Sequence, residues 1–354
     1  MSRFFSEKYN SLTPYVPGEQ PKDMRYIKLN TNESPFPPSS RALEKAAEAA
    51  KRLMLYSDPE CTELTRAAAE RFGVEAEELL FTNGSDEALN FAFMAFCDAE
   101  CPAVFPDITY GFYSVFAQLN NVPYRQIPLR EDFTICVEDY LGVNSTVFIA
   151  NPNAPTGLAL GLNDIERILK SNPNNVVVID EAYVDFGAQS AMQLIHKYDN
   201  LLVVQTFSKS RSMAGARLGF AAGCKELIRD LKTIQYATNP YNVNSMTMAA
   251  GIGALEDDEY FRNNCLAVIA NREWTREALR ELDFTILDST SNFLFAKHSK
   301  VMGGELYRSL KEKGVLVRHF AKPRLSDYIR ITVGSREQMV VFLEKVKEIL
   351  EENP

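Results

Sequence analysis

Seven short apolar runs, rich in β-branched and aromatic residues and separated by helix-forming stretches, constrain this chain more than any other feature. The runs are ELLFTN, CPAVFP, NVPYRQIPL, STVFIAN, NNVVVID, LLVVQTF and RLGFAAG. Strand and helix in alternation predict an α/β architecture: a mostly parallel seven-stranded sheet in three layers.

At 354 residues the chain is long for one core, so two domains are expected. Residues 1–40 are rich in Pro, Asn and Ser and read as an irregular arm, partly joining the small domain. The helix-forming ALEKAAEAAKRL opens a large domain over 41–245. Beyond it a long helical region leads into strand-like FTILDSTSNFLFAKH, GVLVRHF and YIRITVG, with helices at GELYRSLKEK and REQMVVFLEKVKEIL. That texture predicts a smaller α+β domain over 246–354.

Charge narrows the partners. A formal net charge of -9 offers no basic face for phosphate backbones, so no nucleic-acid partner is expected. MSRFFSEKYNSL carries charges where a signal peptide needs an apolar run, and no stretch nears eighteen uninterrupted apolar residues. Neither secretion nor a membrane partner is expected; a cytoplasmic protein is. Six cysteines without CxxC pairing and three histidines give no zinc pattern, so no metal is expected.

In open α/β sheets ligands gather where strands end. NNVVVID closes on Asp180, a carboxylate costly to bury without a positive or hydrogen-bonding partner; a helix cap or ion pair would also explain it. LLVVQTF runs into Ser208 and Lys209. Burial would lower the lysine pKa and make its amine a carbonyl nucleophile, with Arg211 and Arg217 pushing the same way and able to hold a phosphate. Gly84-Ser85-Asp86 opens a helix whose free N–H groups suit an anion, though an ordinary N-cap accounts for the same residues.

LNTNESP, YSDPE, TNGSDEAL, PDITYGFY, NPNAPTG, VIDEAYVDF, TFSKSRSMAGARLGF and the closing VRHF…YIRITVGS occur in order over nearly the whole chain. Together they resemble the fold-type I pyridoxal-phosphate-dependent aminotransferases, and within them the histidinol-phosphate aminotransferase family. NPxxPTG alone reaches many aminotransferases; the DEAYVDF, SKSRSMAGARLGF and IRITVG strings are more selective.

The resemblance implies pyridoxal 5'-phosphate as cofactor, joined to Lys209 as a Schiff base. It implies that Asp180 pairs with the pyridinium nitrogen, that Tyr183 donates to the ring's phenolic oxygen, and that Tyr110 lies against the ring. Gly84, Ser85, Asp86, Thr206, Ser208 and Arg217 would seat the phosphate, and Tyr56 would reach it from a second subunit, making the active site shared in a homodimer. Where the family carries asparagine before Pro-Thr-Gly, this chain has Ala154. Asn153 or Asn151 would substitute, Asn153 being favoured, or Tyr183 would act alone. Arg330 and Arg318 would anchor the substrate's anionic group, and Tyr15 would contact a substrate phosphate.

The implied reaction moves the amino group of L-histidinol phosphate to 2-oxoglutarate in histidine biosynthesis, with Lys209 taking and returning the proton. Aromatic-amino-acid aminotransferases and threonine-phosphate decarboxylases share such anion hooks. A non-catalytic cofactor-binding regulator is a further alternative, against which stands the absence of a basic helix-turn-helix.

Overall fold

Each apolar run becomes a strand of one sheet in the computed structural model, which describes residues 2–10 and 12–353. After a two-residue strand β1 (Ile27–Lys28), these are β2 (Leu79–Thr82), β3 (Ala103–Pro106), β4 (Tyr124–Ile127), β5 (Thr146–Ala150), β6 (Val177–Asp180), β7 (Leu201–Thr206) and β8 (Gly219–Gly223). They lie in the order β2-β8-β7-β6-β5-β3-β4; β8 is antiparallel to both neighbours and the other pairs are parallel.

The central strands are apolar throughout because both faces are covered. Phe148, Val178 and Val204 pack with Leu89 and Phe93 of the helix Ser85–Phe96. On the other face Ile149, Ile179 and Val203 pack with Ile165, Ile168 and Leu169 of the helix Leu162–Ser171. Ahead of the sheet, the Ala-rich helix Ser40–Ala50 starts where the Ser39 hydroxyl accepts from the Ala42 N–H at 3.2 Å.

Past the helices Ser245–Glu256 and Asp258–Arg280, the chain adds β9 (Phe284–Ile286), β10 (Phe293–His298), β11 (Val315–Leu316), β12 (Arg318–His319) and β13 (Ile329–Thr332). Four of these make an antiparallel sheet ordered β12-β13-β10-β9. The helices Gly303–Glu312 and Arg336–Glu352 cover it, with Leu306, Leu310, Phe342 and Val346 against Leu294, Ile329 and Ile331. The result is α/β with a large, mostly parallel sheet and a smaller α+β layer.

The arm is less irregular than its composition suggests. Its β1 pairs in parallel with β11, Ile27 opposite Val315, and Thr332 N–H donates to the Leu29 carbonyl at 2.9 Å. These bonds hold the following residues, 30–34, between the two sheets. No described helix is long and apolar enough to cross a membrane.

Candidate active site

β2, β3, β5, β6 and β7 all point the same way, so their carboxyl ends share one edge of the large sheet. Gly84 and Ser85 follow β2, Tyr110 follows β3, Asn151 follows β5, Asp180 ends β6, and Ser208 and Lys209 follow β7.

Lys209 donates to the Thr31 carbonyl at 3.1 Å, and its Nζ lies 5.9 Å from the centre of the Tyr183 ring. Burial, reinforced by nearby Arg330, lowers its pKa from 10.5 to about 8, against the opposing pull of Glu33 and Asp86. Much of the amine is therefore neutral near pH 8 and able to attack a carbonyl carbon. The cations raising the local potential are Arg330 and Arg217. Arg211 instead turns into the core, donating to the Ala254 carbonyl at 2.9 Å with its guanidinium 4.1 Å from the Phe261 ring centre. Its expected part in phosphate binding is thus corrected.

Asp180 is buried. Burial raises its pKa to about 6, while the Tyr113 hydroxyl, donating to Oδ2 at 2.9 Å, and the Ala182 N–H, donating to Oδ1 at 3.3 Å, favour the carboxylate. A cationic N–H partner in the pocket would complete that set.

Around the start of the helix Ser85–Phe96, Arg217 donates to Asp86 Oδ2 at 2.9 Å and the Tyr110 hydroxyl to Oδ1 at 2.6 Å. The Thr206 hydroxyl donates to Ser208 Oγ at 2.8 Å, and Arg217 holds a left-handed backbone, φ 55°. Gly84 sits at φ 79° and ψ 163°, a backbone that residues with a side chain rarely adopt, and its missing Cβ leaves room for the Arg217 guanidinium. A Cβ on Gly219 would lie 2.4 Å from the Ser85 nitrogen. Helix-start N–H groups, two hydroxyls, a guanidinium and the space left by missing side chains together suit a phosphate.

Tyr183 accepts from Asn32 Nδ2 at 3.0 Å and packs edge-on against Phe293. Arg330 donates to the Asn30 carbonyl at 2.9 Å, while its buried Nε has no partner among the described residues. Such a donor suits an incoming anion. Arg318 lies alongside, donating to the Val16 and Pro17 carbonyls, and Tyr15 stacks on Phe112 at 4.2 Å, within 6.4 Å of the Tyr110 ring.

Two expected residues stand apart from this cluster. Tyr56 is 84 % exposed and stacks on Tyr241 at 4.7 Å. Asn153 turns into its own loop: Oδ1 accepts from Thr109 Oγ1 at 2.7 Å, and Nδ2 donates to the Ile108 carbonyl and Thr156 Oγ1. Asn151 is tied in the same way, to both backbone groups of Leu160.

Three residues were absent from the sequence reading: Thr31, Asn32 and Tyr113. All lie inside strings that were read, LNTNESP and PDITYGFY. The three-residue step from Tyr110 to Tyr113 into a helix was the one local signal, since it sends two tyrosines toward one pocket.

The cofactor read from sequence fits this donor set: an amine for its aldehyde, an anion seat for its phosphate, and a carboxylate for its ring nitrogen. Comparison with known proteins agrees. Residues 25–346 match the family model described as aminotransferase class I and II. Curated proteins from Brachyspira hyodysenteriae (49% identical over 352 residues, 99% of each chain) and a Marinomonas species (48% over 353 residues, 99% of this chain and 100% of that one) are both named histidinol-phosphate aminotransferase. A crystal structure of histidinol-phosphate aminotransferase from Sinorhizobium meliloti, in complex with pyridoxal-5'-phosphate, superposes with a TM-score of 0.90 at 22% identity, covering 100% of this chain and 99% of that one; this is a likeness of fold. The chain belongs to the class I and II aminotransferases, a pyridoxal-phosphate-dependent family, and within it to the histidinol-phosphate aminotransferases.

Proposed function

We propose that this enzyme transfers the amino group of L-histidinol phosphate to 2-oxoglutarate, giving imidazole-acetol phosphate and L-glutamate. The observation that carries the reading is the buried Lys209 amine, its pKa lowered to about 8, gathered around the Tyr183 phenol with the Asp180 carboxylate and with Arg330, whose Nε has no partner among the described residues. The relatives' shared name supports the choice of donor.

When bound, pyridoxal phosphate supplies an electron sink for the carbon that loses its proton. This chain's residues do the rest. Asp180 holds a proton on the ring nitrogen, so that positive charge persists there. Lys209 Nζ would hold the cofactor at its aldehyde carbon and, when a substrate amine has taken that place, would serve as the base that takes the proton from the substrate's reacting carbon and as the acid that returns it on the far side of the nitrogen. Arg217, Ser208, Thr206 and the helix start at Ser85 grip the cofactor's phosphate. Arg330 and Arg318, with Tyr15 beside them, receive either the substrate phosphate ester or the 2-oxo acid carboxylate, since a guanidinium fork suits both anions.

The enzyme acts as a cytoplasmic homodimer in this reading, its active site completed by Tyr56 from a second copy. Leu53, Met54, Leu55 and Tyr56 support that: four exposed apolar side chains in a row suit a partner surface. Within each subunit, an arm (1–40), a large cofactor domain (41–245) and a small domain (246–354) form the working units.

A coupled assay tests the substrate. Glutamate formation from histidinol phosphate and 2-oxoglutarate is expected; carbon dioxide release from phosphothreonine, or a preference for aromatic amino acids, would overturn the choice. Borohydride reduction of the loaded protein should fix the cofactor on Lys209, as read by peptide mapping. Mixing Lys209→Ala and Tyr56→Ala subunits should restore activity above that of either variant, which a monomer could not do.

A further inference from the structure

We infer that Asn32 is a positioning residue for Tyr183: its side-chain amide turns the phenol so that the hydroxyl hydrogen points into the Lys209 pocket. This deepens the reading above and rests on Lys209 being the cofactor lysine.

Asn32 is 1 % exposed, and each of its polar groups is engaged. Its backbone N–H donates to Thr332 Oγ1 at 2.9 Å, and that hydroxyl donates back to Asn32 Oδ1 at 3.0 Å. The Asn292 amide donates to the Asn32 carbonyl at 3.0 Å. Because Thr332 Oγ1 already accepts from an N–H, its one hydrogen has to find an acceptor, which places Oδ1 toward Thr332. The NH2 end must then face Tyr183, whose Oη accepts it at 3.0 Å. With its oxygen accepting, the phenol keeps its own hydrogen for something else. Among the described residues it makes no second hydrogen bond, so that hydrogen is left for an oxygen in the pocket.

The asparagine is suited to this place by its backbone, which sits at φ 57°, a left-handed conformation that asparagine, aspartate and glycine tolerate. Neither Asn151 nor Asn153 offers an alternative, because both side chains are bonded within their own loop, and Ala154 has no polar group. The ionisable groups facing the phenol are Lys209, Arg330, Asp180, Tyr15 and Tyr113. Burial, the largest influence, raises the phenol's pKa, while Arg330 and the Asn32 bond lower it.

The chemical consequence lies at the lysine. A donor to the cofactor's phenolic oxygen draws charge from it, which lowers the basicity of the nitrogen joined to the same conjugated system. Asn32 thus acts on that nitrogen through Tyr183.

Asn32→Asp keeps the size and tolerates the backbone, but offers Tyr183 an acceptor in place of a donor, so the phenol's hydrogen would turn away from the pocket. The visible absorbance of the pyridoxal-phosphate-loaded protein, titrated with pH, should shift its midpoint upward by about one unit. The same substitution in a Tyr183→Phe background should add no further shift. Asn32→Gly, which suits the same φ and deletes the amide, should move the midpoint in the same direction by less, and it decides the matter if the aspartate variant does not fold. An unmoved midpoint in the folded variants, or an equal shift without the phenol, overturns the inference. A wild-type protein that gains no visible band, or a band that survives Lys209→Ala, would instead sink the underlying reading of Lys209.

Discussion

Asp180 and Glu181 are consecutive, acidic and buried, yet the two faces of the sheet treat them differently. Side chains alternate along a strand, so Asp180 follows Val178 toward Tyr113, whereas Glu181 follows Ile179 to the opposite face. There Glu181 meets a full set of donors: Ser190 Oγ at 2.6 Å, Ala191 N–H at 2.5 Å and Gln205 Nε2 at 2.8 Å. Burial raises its pKa to about 7, against the pull of those three donors. Asp180 has two donors, Tyr113 and Ala182 N–H, and lies near the Tyr183 phenol that Lys209 also faces. A saturated buried carboxylate ties a loop to a sheet; an unsaturated one marks where a ligand belongs.

The largest test of that contrast is Lys209→Ala. Transamination should disappear while circular dichroism and melting stay near wild type; measurable turnover would remove the reason for calling Asp180's face the reactive one. Next, Asp180→Asn should cut kcat by roughly three orders of magnitude, about 4 kcal/mol, because an amide does not hold a proton on the ring nitrogen. Near-normal rates would make the two acids alike.

The Lys209 amine gives a pH test. Only its neutral form attacks an aldehyde, so the rate of visible-band formation in cofactor-free protein should rise tenfold per pH unit and level off above about 8. A rise continuing past pH 10 would mean that burial does not lower the lysine's pKa. Tyr113→Phe removes one donor from Asp180 and should cost about 1–2 kcal/mol, roughly a 5- to 30-fold loss in kcat/KM, with the fold intact. The smallest effect on rate belongs to Glu181→Gln. That change leaves either Ala191 N–H, at the Oε1 position, or Gln205 Nε2, at the Oε2 position, facing an NH2 group and should lower stability by about 1–3 kcal/mol while kcat stays within a fewfold. Loss of activity without loss of stability would erase the comparison.

Much of this was legible in the chain. The seven strands announced themselves because a strand covered on both faces needs a continuous apolar run, and Asp180 and Lys209 stood at the ends of two such runs. β1 did not, since two residues among Pro, Arg and Tyr carry no period and their partner, Val315, lies near the other end of the chain. Arg211 and Arg217 could not be told apart by composition; a turn that leaves Arg217 at φ 55° decides which one faces the pocket. Asn32 was hidden for a similar reason, because its bonds to Thr332 and Tyr183 come from long-range folding rather than from neighbours in the sequence.

The pairing of β1 with β11 also sets an order of assembly as the chain leaves the ribosome. The large sheet has all its strands once Gly223 has emerged, and domains generally begin to fold in the order of synthesis. Thr31, however, is held against Lys209 by a strand whose partner begins at Val315. A nascent chain can therefore own its lysine and carboxylate long before it can close over them, and a protein shortened at either end loses the same lock.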